Sequence, residues 1–317
     1  MKPRIFGCLL ALSLLAAGAA RAQVVSIVTT PAGTFTNSSG AAIAKVMIDH
    51  GKLRAVVQAQ AANGLNAVSG GTAVFGLSNS FDCTFFYNGA AYYKEEGPHK
   101  NLRNVAPLVP YRVGMFVRAN SDIKTVAELK GKRVSSGFNA QKTIASIIEA
   151  QLANGNLTYN DVQQVPAPNV AREAEDFTSG KVDVLFFAID SAAVKQAAAT
   201  VGGLRALPLD TSPTALSRMQ TALPGSYIVS VDPAPGRDGI DKTTTLLAFD
   251  MVLYTRDDLA EDTIYRATKA IYENKKDLAA TFAGFAEFDP KHMATMVKDV
   301  PFHPGALKFY REAGLAP

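Results

Sequence analysis

Residues 24–30 read VVSIVTT, residues 31–40 read PAGTFTNSSG, and Ile43, Val46 and Met47 then share one stripe of the segment that follows. β-Branched residues dominate the first piece and favour a strand. Small and hydroxyl residues in the second favour a turn, and the spacing in the third predicts a helix. Strand, polar loop and helix in that order open a β-α-β unit. The alternation continues downstream. Residues 53–59 and 73–77 read as strands with a short helix at 63–68 between them, and residues 107–117 (PLVPYRVGMFV) read as extended.

Beyond them, Thr125 and Glu128 fit a capping box, 132–136 a strand, and Ile144, Ile147, Ile148 and Leu152 the face of a helix ended by Asn154 and Gly155. Val170, Ala174 and Phe177 mark another helix. Residues 182–189 (VDVLFFAI) suit a strand covered on both faces. Five prolines leave 207–242 without readable boundaries. Residues 246–254 read as a strand, Asp258 with Glu261 as a second capping box before a long helix, and Asp289-Pro290 as N-cap and N1 of another helix. Strands alternating with helices predict an α/β protein built on mostly parallel sheets.

Residues 1–22 are set apart. Lys2 and Arg4 precede an apolar run over 5–19, and Ala20-Arg21-Ala22 supplies a small-x-small end. This order predicts a secretory signal peptide cleaved after Ala22; the run is short for a bilayer span. The chain has 32 Lys and Arg against 28 Asp and Glu, and losing Lys2, Arg4 and Arg21 with the leader leaves a net charge of +1. No basic block remains to neutralise a run of phosphates, which argues against nucleic acid. Cys83 is the one cysteine outside the leader, so no intrachain disulfide is expected, and an inert buried thiol is the favoured reading. There is no G-x-S-x-G elbow or Walker motif. None of His50, His99, His292 and His303 has metal-ligand spacing to another histidine or to a cysteine. The reading is therefore not an enzyme, with neither metal nor cofactor; a triad assembled from distant segments is the remote alternative.

Several segments together resemble the TAXI group of solute receptors, which serve TRAP (tripartite ATP-independent periplasmic) transporters. Residues 119–137 (ANSDIKTVAELKGKRVSSG) are similar to that family's loop, short helix and strand leading into the second lobe. Residues 302–315 (FHPGALKFYREAGL) resemble its terminal signature, residues 180–184 (GKVDV) a strand entry, and residues 262–269 (DTIYRATK) a helix. The resemblance implies a two-lobed periplasmic binding protein fold of type II. Lobe I would span 23–111 and 244–317, lobe II 112–243, each a mostly parallel sheet flanked by helices, with two chain crossings at the hinge. It also implies a periplasmic receptor that hands a small polar, anionic ligand, such as glutamate or a 2-oxoacid, to TRAP permease subunits. A binding protein for an ABC importer, or a ligand sensor of the same fold, is the alternative.

In open α/β sheets, ligands sit outside the carboxyl ends of strands. Three loops hold such positions and supply the candidate residues: Thr30, Thr34, Phe35, Asn37 and Ser38; Ser78 and Asn79; and Asn139, Gln141, Lys142 and Thr143. Two of the loops feed helix N-termini, which favour anions. Lys142 is the sharpest candidate, since a cation there would pair with an acidic ligand; a solvated lysine is the plain alternative. Ser38 and Thr143 serve equally well as helix caps. Tyr111 and Arg112 lie near the expected hinge, where Tyr111 could instead pack between lobes. Asp190 follows a strand and could face the cleft or cap the next helix.

Overall fold

The computed structural model describes residues 24–60 and 64–315; the predicted leader lies outside the described residues. In chain order the elements are β1 (Val24–Thr29), α1 (Phe35–Asp49), β2 (Arg54–Ala59), α2 (Gly64–Ser69), β3 (Phe75–Asn79), α3 (Ser80–Asn88), β4 (Leu102–Arg118), β5 (Arg133–Gly137), α4 (Lys142–Asn154) and β6 (Gln163–Ala167). There follow α5 (Val170–Thr178), β7 (Leu185–Ala188), α6 (Ala192–Val201), β8 (Leu204–Ala206), α7 (Pro213–Ala222), β9 (Tyr227–Val231), β10 (Thr244–Arg256), α8 (Glu261–Glu273), α9 (Lys275–Thr281) and α10 (Pro304–Glu312).

Two long strands organise the molecule. β4 and β10 run antiparallel, paired from Leu102 opposite Arg256 to Val113 opposite Leu247. At one end β10 pairs with β3 over Met251–Tyr254, and β3 continues through β1 to β2. At the other end β10 pairs with β9 over Thr244–Ala248, while β4 pairs with β7 and β8 over Val113–Arg118. A separate parallel pair, β5–β6, completes this second end, tied to the approach of β7 by the Asp183 amide donating to the Arg133 carbonyl at 2.9 Å. The result is two α/β lobes hung on a shared two-strand waist.

Between the named strands, parallel pairing is confined to β1–β2, β1–β3 and β5–β6; every ladder between named strands that involves β4 or β10 is antiparallel. The expectation of mostly parallel sheets is corrected on this point. A chain that crosses between lobes and later returns must run its two crossing strands in opposite directions, so their ladders are antiparallel.

Local expectations hold in most places. Thr125 and Glu128 form the capping box, on a single 3-10 turn. Asp258 and Glu261 do not: α8 starts at Glu261, and Asp258 instead pairs with Arg256 at 2.5 Å. Asp289 caps a short 3-10 turn over Pro290–Ala294, its side chain accepting from the Lys291 amide at 3.0 Å. The terminal segment is structural. His303 is fully buried and caps α10 through Nδ1, 3.1 Å from the Gly305 amide. A Cβ on Gly305 would stand 2.3 Å from the Glu261 carbonyl, so glycine lets α10 lie directly on α8. Cys83 is fully buried, and burial pushes its thiol well above the ordinary range.

Candidate ligand-binding cleft

A cavity of about 470 Å³ lies between the lobes, with walls from β1, α1, β3 and α3 on one side and α4, α5 and β7 on the other. That volume suits a small organic molecule. From the first lobe come Thr30, Thr34 and Thr36. The Thr30 hydroxyl bonds to those of Thr34 (2.7 Å) and Thr36, and Thr34 caps α1 by accepting from the Asn37 amide at 3.3 Å. Hydroxyls and the N-terminus of α1 thus lie together at the cavity wall, an arrangement suited to an anion.

The second lobe answers with the start of α4. Gly137 has φ +86° and Phe138 φ +39°, a left-handed pair of which only the glycine is at ease. Phe138 is held there because its ring is fully buried and its amide donates to the Ala167 carbonyl at 2.9 Å. With that ring anchored, Asn139, Ala140, Gln141, Lys142 and Thr143 line the cavity. Gln141 also accepts from the Val170 amide at 3.0 Å, which fixes the loop against α5. Lys142 is exposed and has no ion-pair partner among the described residues. The cavity therefore carries an uncommitted cation beside the N-terminus of α4.

The other candidates divide. Ser78 and Asn79 line the cavity, and the Ser78 hydroxyl donates to Asp82 at 2.8 Å. Tyr111 also lines it while stacking on Phe249 (5.4 Å) and meeting Phe35 edge-on (5.1 Å), so it both packs the waist and faces the cleft. Phe35 is turned away from the main cavity toward Phe282, 4.9 Å off. It borders a second, smaller cavity of about 330 Å³ together with Ser38 and Asp190. Asn37 donates to the Thr29 hydroxyl at 3.0 Å and does not line the main cavity. Arg112 pairs with Glu287 at 2.9 Å and does not line the main cavity. Asp190, at φ +60°, accepts from Nε and Nη2 of Arg237, both at 3.0 Å. The cap alternatives also resolve: Thr34 rather than Ser38 caps α1, Gln141 precedes α4 and Thr143 lies inside it, and Ser191 rather than Asp190 caps α6.

Sequence reasoning missed the acidic part of the cavity. Asp82, 2% exposed, lines it and accepts hydrogen bonds from Tyr92 (2.6 Å), Ser78 (2.8 Å) and Tyr93 (3.1 Å). Burial raises its carboxyl above the ordinary range, and the three hydroxyls pull it part of the way back. Glu96 and Asn66 line the cavity too, bonded to each other at 3.2 Å. Val28, Leu77, Val113, Ile144, Ile147 and Phe186 give apolar walls. Among the described residues no group of three His, Cys, Asp or Glu could hold a metal, and no helix is long and apolar enough to cross a membrane.

The fold has solved counterparts. A periplasmic transporter superposes with a TM-score of 0.57 at 15% identity, covering 93% of this chain and 94% of that one. The periplasmic binding protein BugD gives 0.55 at 10% identity over 92% and 98%. A protein from Bordetella bronchiseptica RB50 gives 0.51 at 17% identity over 93% and 90%. At such identities the likeness establishes the two-lobed fold and nothing finer. The model of one family runs through both lobes, from residue 27 to residue 314, and on that match the chain belongs to the NMT1-like family.

Proposed function

We propose that the chain is an extracytoplasmic solute-binding protein that closes its two lobes over a small polar ligand with an acidic group and delivers it to a membrane transporter. The observation that carries this reading is the convergence of two helix N-termini, those of α1 and α4, and the unpaired Lys142 on one interlobe cavity. Helix N-termini and a lysine favour an anion without any chemistry being done to it. Closure would be a hinge motion about β4 and β10, with the second lobe starting near Arg112. The leader pattern of residues 1–22 supports export to the periplasm, and the similarity of residues 302–315 to the TAXI terminal signature supports TRAP permease subunits as the partner.

A ligand that binds only the folded state raises its melting temperature. A thermal-shift panel of small carboxylates and amino acids should contain compounds that raise Tm by about 5 °C or more at a hundredfold excess over Kd. A flat response across the panel would overturn the reading. Uptake of a hit by vesicles carrying the cognate TRAP permease tests the partner; uptake supported only by an ABC importer would overturn that part alone.

A further inference from the structure

Asp82 has no basic partner. Its carboxylate is 2% exposed, all three of its hydrogen bonds come from neutral hydroxyls, and no Lys, Arg or His pairs with it among the described residues. Buried carboxylates are ordinarily paired with a cation, because desolvating the charge is costly and neutral donors repay it only in part. This part of the cavity therefore holds an acid without a counter-charge. Across the lobe boundary, the same cavity holds Lys142 as a cation without a counter-charge. Apolar side chains, among them Val28, Leu77, Ile144 and Ile147, line it as well.

Building on the solute-binding reading, we infer that the ligand is an ampholyte: a protonated amine seats against Asp82, an acidic group faces Lys142, and an apolar body lies between. An ammonium brings three N–H donors on one atom, enough to serve both Asp82 oxygens. Asp82 is then the specificity residue. It selects amine-bearing acids over acids of the same shape that lack the amine.

The test is calorimetric titration of the full chain with three matched pairs: L-phenylalanine and 3-phenylpropanoate, L-leucine and 4-methylpentanoate, L-glutamate and glutarate. The amine-bearing member of at least one pair should bind roughly tenfold or more tightly than its partner, the scale of a charge-assisted contact in a closed site. Asp82→Asn should narrow that ratio, and Glu273→Gln, at an exposed position of α8 outside the cavity lining, should leave it in place. Equal or tighter binding of the amine-free acids by the wild type would overturn the inference while leaving the solute-binding reading intact, and this comparison does not depend on the variants folding. A ratio unchanged in a folded Asp82→Asn would overturn the role of Asp82. Binding of no member of any pair would overturn the carboxylate-receptor reading and this inference with it.

Discussion

Nε2 of His292 lies 3.2 Å from Oδ2 of Asp250, at the place where strand β10 passes from one lobe to the other. The other oxygen of Asp250 accepts the Tyr227 hydroxyl at 2.9 Å. Tyr227 belongs to β9 in the second lobe, while His292 sits in the 3-10 turn packed on β4. One carboxylate at the waist thus ties together groups on both sides of the hinge.

The tie is pH-dependent. Its hydrogen bond to Asp250 raises the His292 imidazole above its usual value; burial opposes this, and the Asp250 charge adds to it. Asp250 is lowered: burial pushes its carboxyl up, but the His292 hydrogen bond and charge outweigh that. A raised histidine contributes stability that is present below its unfolded pKa and lost as pH rises through the folded value; a lowered carboxylate contributes stability lost as pH falls through its folded value. The pair is therefore worth most around pH 5. His292→Gln should lower Tm most at that pH, with the deficit shrinking as pH rises past the histidine's range. A deficit independent of pH in thermal melts would contradict this.

Glu173 behaves in the opposite sense to Asp250. It is 1% exposed, one oxygen accepts the Phe186 amide at 2.8 Å, and the other has no partner. Burial pushes the carboxyl well above its ordinary range, the Phe186 bond pulls it back, and the Asp176 charge adds to the rise. The folded state keeps this proton longer than the unfolded chain does, so stability falls as pH rises through that interval. Glu173→Gln keeps the acceptor and abolishes the titration. Its stability relative to wild type should improve steadily from acid to alkaline pH in chemical denaturation, whereas parallel pH profiles would contradict the assignment.

Gly305→Ala tests the packing of the terminal segment. The added methyl would meet the backbone of Glu261 and Tyr265 in α8, atoms that cannot step aside. Overpacking at such a contact costs about 1–3 kcal/mol. A loss of that size in urea denaturation is expected, with ligand affinity unchanged because α10 lies away from the cleft; unaltered stability would contradict the close helix contact.

Lys142→Ala should weaken binding of an acidic ligand by about three- to tenfold, since the lysine is exposed and its ion pair partly screened. Stability of the empty protein should stay within about 0.5 kcal/mol, as expected for a surface side chain without partners. Titration at low and high salt checks this: the wild-type affinity should fall with salt more than the variant's. Equal affinities for wild type and variant would remove Lys142 from the site.

Much of this was legible in the residue order, for local reasons. VVSIVT and the Ile144–Ile148 stripe carry their own periodicity, and the polar loops before α1 and α4 announced helix starts that do line the cleft. The full reach of β4 was not legible, because Pro107 and Pro110 look like strand breakers. They are tolerated because they face Val252 and Asp250, beside the register shift in β10. The region 207–242 hid α7 and β9 among its prolines, although Ser212-Pro213 is an N-cap followed by N1. Asp82 could not be read at all. SFDCTFFYN has no cap or spacing to single it out, and its role arises from hydroxyls ten and eleven residues away that close over it only in the folded chain.

The most direct measurement is calorimetric titration of ligand-stripped wild type and Ala140→Trp with a compound that raises Tm in the thermal-shift panel. Ala140 is an exposed loop residue on the cavity wall, so an indole there fills the space between the lobes without disturbing a core. Saturable one-to-one binding by wild type and its loss in folded Ala140→Trp is the expected result. Undiminished binding by that variant would contradict the placement of the ligand between the lobes.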